Sequence, residues 1–350
     1  MKVIIIGGGI IGAALAQNLK LTNADVTVID IGGGATIASF GWLNASFFLN
    51  HDHFKLRLAG LDAWRRLGVP LTWSGALCWE KKGKALEEQF QSFVKLGYHT
   101  EFIDEKSFLE LEPHVCSPRQ AIRFGSEGVA EPRETTQALL RGVKRLRGIE
   151  VLGITTKAGH VTGVDTVQGQ ILADRVIVAS GTGSPSLLKS VDVKLPMQHN
   201  SGGIMRTARS PVRLSHVLVT PEGEVRQDKD GFIWTPTKVQ HQKITIDKNE
   251  KKLELLADEA IIRLRKLLPT TKLIWEELIS SSRPIPKDGL PVFGPAGPEG
   301  LFVAVTHSGM TLAAVIAELL CSQICDRKLS DDQANIAVSY GINRFKNKSF

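Results

Sequence analysis

Short apolar runs and helical stripes alternate along this chain, and glycine clusters sit where they meet. Residues 3–6 (Val-Ile-Ile-Ile) have no polar face, the pattern of a strand buried on both sides. After the glycines at 7–12, Ala13, Ala14, Leu15, Ala16 and Leu19 predict a helix with a small-residue face. Residues 26–29 predict a second buried strand that ends at Asp30. Together these make one βαβ unit, whose crossover is right-handed. Apolar positions three or four apart predict further helices over 54–67, 84–97 and 134–147. Residues 149–180 divide into short strands, the last of which (175–180, RVIVAS) runs into Gly181-Thr182-Gly183.

The pattern then changes. Residues 203–247 alternate apolar and polar, as at 215–220 and 243–247, and Asp228-Lys229-Asp230-Gly231 is a hairpin turn signal. That predicts an antiparallel sheet distinct from the opening unit. A helix over 251–268, a Pro- and Gly-rich stretch at 283–300, a buried strand at 301–305 and a helix at 311–325 follow. The tail beyond Ser330 is polar and is expected to be peripheral. The expected architecture is a mixed α/β fold, a Rossmann-type nucleotide-binding domain interleaved with an antiparallel-sheet domain. The first takes residues 1–80, 130–200 and 280–328; the second takes 81–129 and 201–279; 329–350 form the tail.

Composition narrows the class. The 350 residues are 43% apolar and 23% charged, which suits a globular chain of about two domains. The net charge of +7 comes from dispersed Lys and Arg, and the aromatics (6%) do not interleave with them, so a nucleic-acid platform is not expected. Four cysteines (78, 116, 321 and 325) are too few for a disulfide scaffold and lack zinc-site spacing. Residues 3–16 after Lys2 resemble the apolar part of a signal peptide, but three glycines interrupt them and they are too short to span a bilayer. A cytoplasmic protein without stable membrane insertion is expected.

Gly7-Gly8-Gly9-Ile10-Ile11-Gly12 matches G-x-G-x-x-G between a strand and a helix, with Asp30 closing the next strand. Gly7 permits the tight turn, Gly9 lets backbone approach a pyrophosphate, and Gly12 lets the helix pack on the sheet. The helix start supplies N–H donors and Asp30 can accept ribose hydroxyls. The motif points to an ADP-containing ligand without separating NAD from FAD. The small residues from Ala35 to Gly41 would let the chain pass a bulky cofactor, or form an ordinary loop. In Ser282-Arg283-Pro284, the guanidinium offers a planar fork for a carboxylate, or a structural ion pair with a buried acid. Thr306-His307-Ser308-Gly309-Met310-Thr311 joins a buried strand to a helix whose free N–H groups can stabilise negative charge. His307 is either a proton carrier or a satisfied polar residue beside that turn. His51, Asp52 and His53 lack a third ligand at metal-site spacing, so no metal is expected.

These residues resemble the D-amino-acid oxidase-like family of FAD-dependent oxidoreductases, which includes glycine and sarcosine oxidases. The resemblance spans about residues 1–328. It is most specific in Arg283-Pro284, Asp288-Gly289-Leu290-Pro291, Gly300-Leu301 and His307-Ser308-Gly309. Gly128-Val129-Ala130-Glu131-Pro132 is similar to the family's segment before the helix leading to the adenine-binding strand, and Val178-Ala179-Ser180-Gly181 to its turn near the pyrophosphate. The resemblance implies that Gly7, Gly9, Ile10, Ile11, Gly12, Asp30, Ser180 and Gly181 hold the ADP part of FAD. It places Ser39, Gly41 and Asn44 along the pyrophosphate and isoalloxazine, and Gly309, Met310 and Thr311 at the flavin pyrimidine edge. It makes Arg283 the substrate-carboxylate clamp, with His307 as the second candidate catalytic residue. The chain departs from some amino-acid oxidases in having only two tyrosines, Tyr98 and Tyr340, neither in the middle sheet. No cysteine lies where sarcosine oxidase-like members tether flavin, which implies non-covalent FAD.

The function expected is oxidation of a C–N bond in a small amine or amino acid, with O2 or another electron acceptor. A dehydrogenase subunit feeding a quinone or a partner protein remains open, as do a non-catalytic nucleotide-binding protein and homo- or hetero-oligomers. An FAD hydroxylase would carry a late Gly-Asp dipeptide, whereas 288–289 reads Asp-Gly.

Overall fold

The opening strand, Lys2–Ile6, divides its side chains between two cores, and the rest of the nucleotide-binding layer follows from that division. Val3 and Ile5 join one apolar cluster with the helices. Ile4 and Ile6 join another with a small sheet on the opposite face. A period of two with apolar residues at every position is what burial on both faces requires. Each such side chain contributes about 1.5–3 kcal/mol relative to exposure. The computed structural model describes residues 1–237, 250–269 and 272–346. Its six-stranded sheet runs Val292–Pro295, Leu301–Val305, Arg175–Val178, Lys2–Ile6, Asp25–Asp30, Lys144–Arg147. All neighbours pair parallel except Val292–Pro295, which is antiparallel to Leu301–Val305.

Helices Ile10–Lys20 and Gly309–Ile324 pack together on one face of this sheet, with His51–Leu67 against the second of them. Ala13, Ala14 and Ala16 are fully buried and permit the close approach. Gly60 does the same for the third helix: a methyl there would sit 2.6 Å from the Thr311 carbonyl oxygen. The other face carries the three-stranded sheet Val151–Lys157, His160–Thr166, Gly169–Leu172.

One predicted helix divides. The stripe over 134–147 becomes helix Pro132–Leu139 followed by strand Lys144–Arg147. Gly142 between them takes φ +71, a left-handed conformation that ends the helix. The strand then pairs with Asp25–Asp30, so Asp30 lies opposite Arg147.

The second layer is an eight-stranded sheet in the order Trp275–Ser282, Ser201–Arg209, Phe232–Pro236, Gly223–Gln227, Val217–Thr220, Ala76–Cys78, Gln120–Phe124, Glu101–Asp104. It is not wholly antiparallel as the alternation predicted, because Val217–Thr220 pairs parallel with Ala76–Cys78. The expected boundary at residue 80 therefore falls just past a strand of this sheet. The hairpin at 228–231 forms, its Gly231 N–H donating to the Asp228 carbonyl (3.1 Å). The alternating stretch 243–247 lies outside the described residues. Helix Glu250–Leu267 covers the far face through Ala257, Ala260, Ile261 and Leu264.

The tail is more than a peripheral appendage. A capping box at Ser330 starts helix Asp331–Ser339, and Tyr340, Ile342 and Phe345 are buried. Arg344 then makes a forked ion pair with Asp288 (2.8 and 3.1 Å). Among the described residues, no helix is long and apolar enough to cross a membrane.

Candidate active site

The nucleotide end is built mostly from backbone. Gly7 has φ +111, and a Cβ there would overlap the Ala179 carbonyl oxygen and sit 3.0 Å from the Ser180 Cα. A Cβ on Gly12 would overlap the Gly7 carbonyl oxygen. Gly9 is the N-cap of helix Ile10–Lys20 and offers it no side chain. Thr36 reaches in from the next loop, its Oγ1 accepting the Ile10 N–H (3.0 Å). The other N–H groups of that first turn have no side-chain acceptor among the described residues. Asp30 closes its strand with Oδ2 2.7 Å from where a Gly8 Cβ would stand, and Oδ1 accepts from the Gly32 N–H (3.2 Å). Ser180 shares a hydrogen bond with Ser184 (3.1 Å), and Gly181 takes φ +58 beside Pro284. These groups form a cradle of glycines, uncapped amides and one carboxylate. The donor set fits the pyrophosphate and ribose of FAD.

The two helix starts converge. A Cβ on Gly309 would touch Ile10 (3.5 Å) and Ile11 (3.7 Å), so helix Gly309–Ile324 begins beside the cradle. Trp64 Nε1 donates to the Met310 carbonyl (2.7 Å) and holds this start from behind. The Asn44 N–H donates to Thr311 Oγ1 (3.2 Å). Ser39 Oγ accepts from the Gly41 N–H (3.2 Å), and Gly41, at φ +81, lies so near the Ala130 carbonyl that a side chain would overlap it. The structure thus brings Asn44 to Thr311, Gly309 to Ile10 and Ile11, and Ser180 to Gly7.

Arg283 and His307 close the far side. The Arg283 guanidinium lies against Gly202, where any Cβ would overlap it. Desolvation lowers its pKa, with Glu224 opposing through space. Among the described residues, no carboxylate lies within ion-pair distance of it, so the ion-pair alternative has no partner there. His307 is exposed at the turn before helix Gly309–Ile324, with Arg283 and Arg57 close enough for their charges to act on it. Desolvation there, then the charges of Arg283 and Arg57, lower its pKa to about 4. Asp288, in the same motif as Arg283, is a brace: burial opposes its ionisation, but Arg344 holds it below the usual carboxylate range.

Arg57, Glu127 and Arg226 escaped the sequence reading, and His53 entered it only as a rejected metal ligand. Arg57 is buried and donates to the Asn44 carbonyl (3.0 Å), Asn44 Oδ1 (2.6 Å) and Ser308 Oγ (2.7 Å). Glu127 is fully buried and accepts from the Ala45 and Ser46 N–H groups and the Tyr98 hydroxyl (3.0, 2.9 and 2.9 Å). His53 is buried, its Nδ1 accepting the Leu49 N–H (3.2 Å), which makes it a helix-start brace; His51 is exposed. Arg226 crosses between layers, donating to the Phe40 carbonyl and forking onto Glu131 (2.7 and 3.1 Å). One signal was available for Arg57. It occupies the buried stripe of its helix with Phe54, Leu61 and Trp64, where a charge is out of place.

The comparisons agree with this geometry. The family described as DAO, FAD dependent oxidoreductase, matches residues 2–323. Glycine oxidase of Pseudomonas aeruginosa is 24% identical, with 96% of this chain and 98% of that protein covered. D-amino acid dehydrogenase of Rhizobium rhizogenes is 23% identical over 97% of this chain and all of that protein. Among solved structures, glycine oxidase from Bacillus cereus superposes with a TM-score of 0.80 at 20% identity, covering 94% of this chain and 96% of its own. L-amino acid deaminase from Proteus myxofaciens, in complex with anthranilate, gives 0.85 at 20%, covering 99% and 93%. The sheet order, the glycine cradle and the family match together place this chain in the DAO family of FAD-dependent oxidoreductases.

Proposed function

We propose that this enzyme oxidises the C–N bond of a small amino acid or carboxylate-bearing secondary amine, with FAD held non-covalently. The observation that carries this reading is Arg283, a desolvated guanidinium with no carboxylate partner among the described residues, whose charge reaches His307 at the turn before helix Gly309–Ile324. Arg283 binds the substrate carboxylate as a fork and fixes the orientation of the carbon to be oxidised. Bound FAD supplies the acceptor for the hydride and its electron pair. The substrate nitrogen lone pair closes the C=N bond as that hydride leaves, and water hydrolyses the imine. The nitrogen must be neutral, so activity rises with pH. His307, with a pKa of about 4, is neutral throughout that range and acts as a hydrogen-bonding wall rather than as the titrating group. The cysteines, all free in the structure, favour a reducing, cytoplasmic setting.

The test is anaerobic bleaching of the flavin spectrum by a panel of D- and L-amino acids and N-methyl amines. Bleaching by one of them, followed by oxygen uptake in air, gives an oxidase. Bleaching without oxygen uptake gives the dehydrogenase that passes electrons to a quinone or protein. A flavin that no amine or amino acid bleaches overturns the substrate class. Arg283→Ala should raise KM for the carboxylate substrate about 100-fold, since removing one partner of a desolvated charge pair costs ~2–5 kcal/mol. Unchanged KM and kcat would remove Arg283 from this role.

A further inference from the structure

Arg57 is a charge that the family reading leaves unused. It is 3% exposed, and every acceptor it meets is neutral: the Asn44 carbonyl and side chain, Ser308 Oγ and, at 3.5 Å, Thr311 Oγ1. Burying an ion without a counter-charge in contact costs several kcal/mol. Among the described residues, the acid that bears on it is Glu127, which acts through space, as Tyr98 does more weakly. Two of its partners, Ser308 and Thr311, lie at the N-cap and in the first turn of a 16-residue helix. The helix start carries about half a positive charge and lacks a side-chain cap. A full cation has thus been stacked on the positive end of a dipole, where the two repel. Desolvation, together with this cation, also drives His53 and His307 to their neutral forms. Such an arrangement becomes favourable when a negative charge forms on the open side of the helix start.

We infer that Arg57 is a positioning residue whose buried charge, relayed through Ser308 and Thr311, stabilises negative charge on the reduced isoalloxazine at the start of helix Gly309–Ile324. The inference rests on the FAD reading but is independent of which amine is the substrate. Arg57 also holds the Asn44–Ser308 junction rigid, so the N–H donors of the first turn are set before charge develops. Glu127 opposes it: when ionised, its carboxylate reduces the positive field that Arg57 supplies.

The test uses the FAD-loaded enzyme and no amine substrate. Sodium sulfite reports affinity for an anionic flavin adduct, and a dye-linked reductive titration reports the midpoint potential. Arg57→Met should weaken sulfite binding at least tenfold and lower the two-electron potential by about 30 mV for each tenfold change. Arg57→Lys should restore most of both. Glu127→Gln, measured at pH 8.5, should move both readouts in the opposite direction, about threefold. Unchanged sulfite affinity and potential in Arg57→Met overturn the inference. So does a shift of the same sign in Arg57→Met and Glu127→Gln, which would show a packing effect. If Arg57→Met fails to fold, Arg57→Gln takes its place: an unmoved potential and sulfite affinity overturn the inference, and a lowered potential supports it. Amine specificity plays no part in these readouts, so a wrong substrate class leaves them intact.

Discussion

The cradle at Gly7–Asp30 and the proposed reactive end around Arg57, Arg283 and His307 are built on opposite plans. The cradle draws nearly everything from one βαβ unit, and its recognition groups are backbone: uncapped amides, three spaces that only glycine leaves, and one carboxylate. The proposed reactive end gathers groups from residues 44, 57, 127, 283 and 307–311, far apart in sequence. Its electrostatics depend on burial: Arg57 lowered to about 10, Glu127 raised to about 7, His53 and His307 lowered to about 4. A pyrophosphate has fixed charge and shape, so a rigid local motif suffices for it. A reacting centre changes charge, and the groups that answer that change must be desolvated, which takes contributions from several layers.

The largest effect expected from breaking this contrast is at Gly12. Gly12→Ala drives a methyl into the Gly7 carbonyl oxygen and should leave a protein that purifies without flavin, read from its visible absorbance. Retained flavin would show that the helix can shift. Next is the clamp between layers. Arg226→Met strands Glu131 and the Phe40 carbonyl and should cost about 3 kcal/mol in urea unfolding, the low end for a buried pair because Glu131 keeps some solvent. A loss below about 1 kcal/mol would mean that packing alone joins the layers.

Glu127 tests the reactive end by pH. Burial raises its folded pKa to about 7 from 4.5, partly offset by its N–H and Tyr98 donors. Its contribution is fully present below about pH 4.5 and is lost as pH rises through 7, on the order of 2–3 kcal/mol. Glu127→Gln should flatten that decline. His53 and His307 act with the opposite sign, losing stability as pH falls from 6.5 towards 4, so the variant is read as a difference from wild type. The smallest effect is at the cradle's one side-chain acid. Asp30→Ala should weaken FAD about tenfold in a fluorescence titration, ~1.4 kcal/mol. A loss beyond a hundredfold would move the cradle towards side-chain recognition.

Legibility followed the same division. The buried strands expected at 3–6, 26–29, 175–180 and 301–305 were visible because two-sided burial leaves few polar positions, the third ending at Val178 in the structure. The stripe at 134–147 misled because Leu139, Leu140, Val143 and Leu146 keep helical spacing across the break, and only the left-handed turn at Gly142 separates helix from strand. Polar composition concealed that the tail packs through Tyr340, Ile342 and Phe345. At the site, glycine spacing exposed the cradle candidates, and Arg283 stood out between fixed backbone residues. Glu127 gave no signal at all, since a lone Glu after a Ser reads as a turn.

The sequence alone determined the mixed α/β class, the nucleotide cradle and the family resemblance, because each rests on short-range spacing and on which residues lack a Cβ. Tertiary structure alone decided that Ala76–Cys78 joins the second sheet, that Arg226 bridges the layers, and that Arg57 stands buried behind a helix start. Those outcomes depend on desolvation and on contacts between residues far apart in the chain, and neither is a property of any local stretch of sequence.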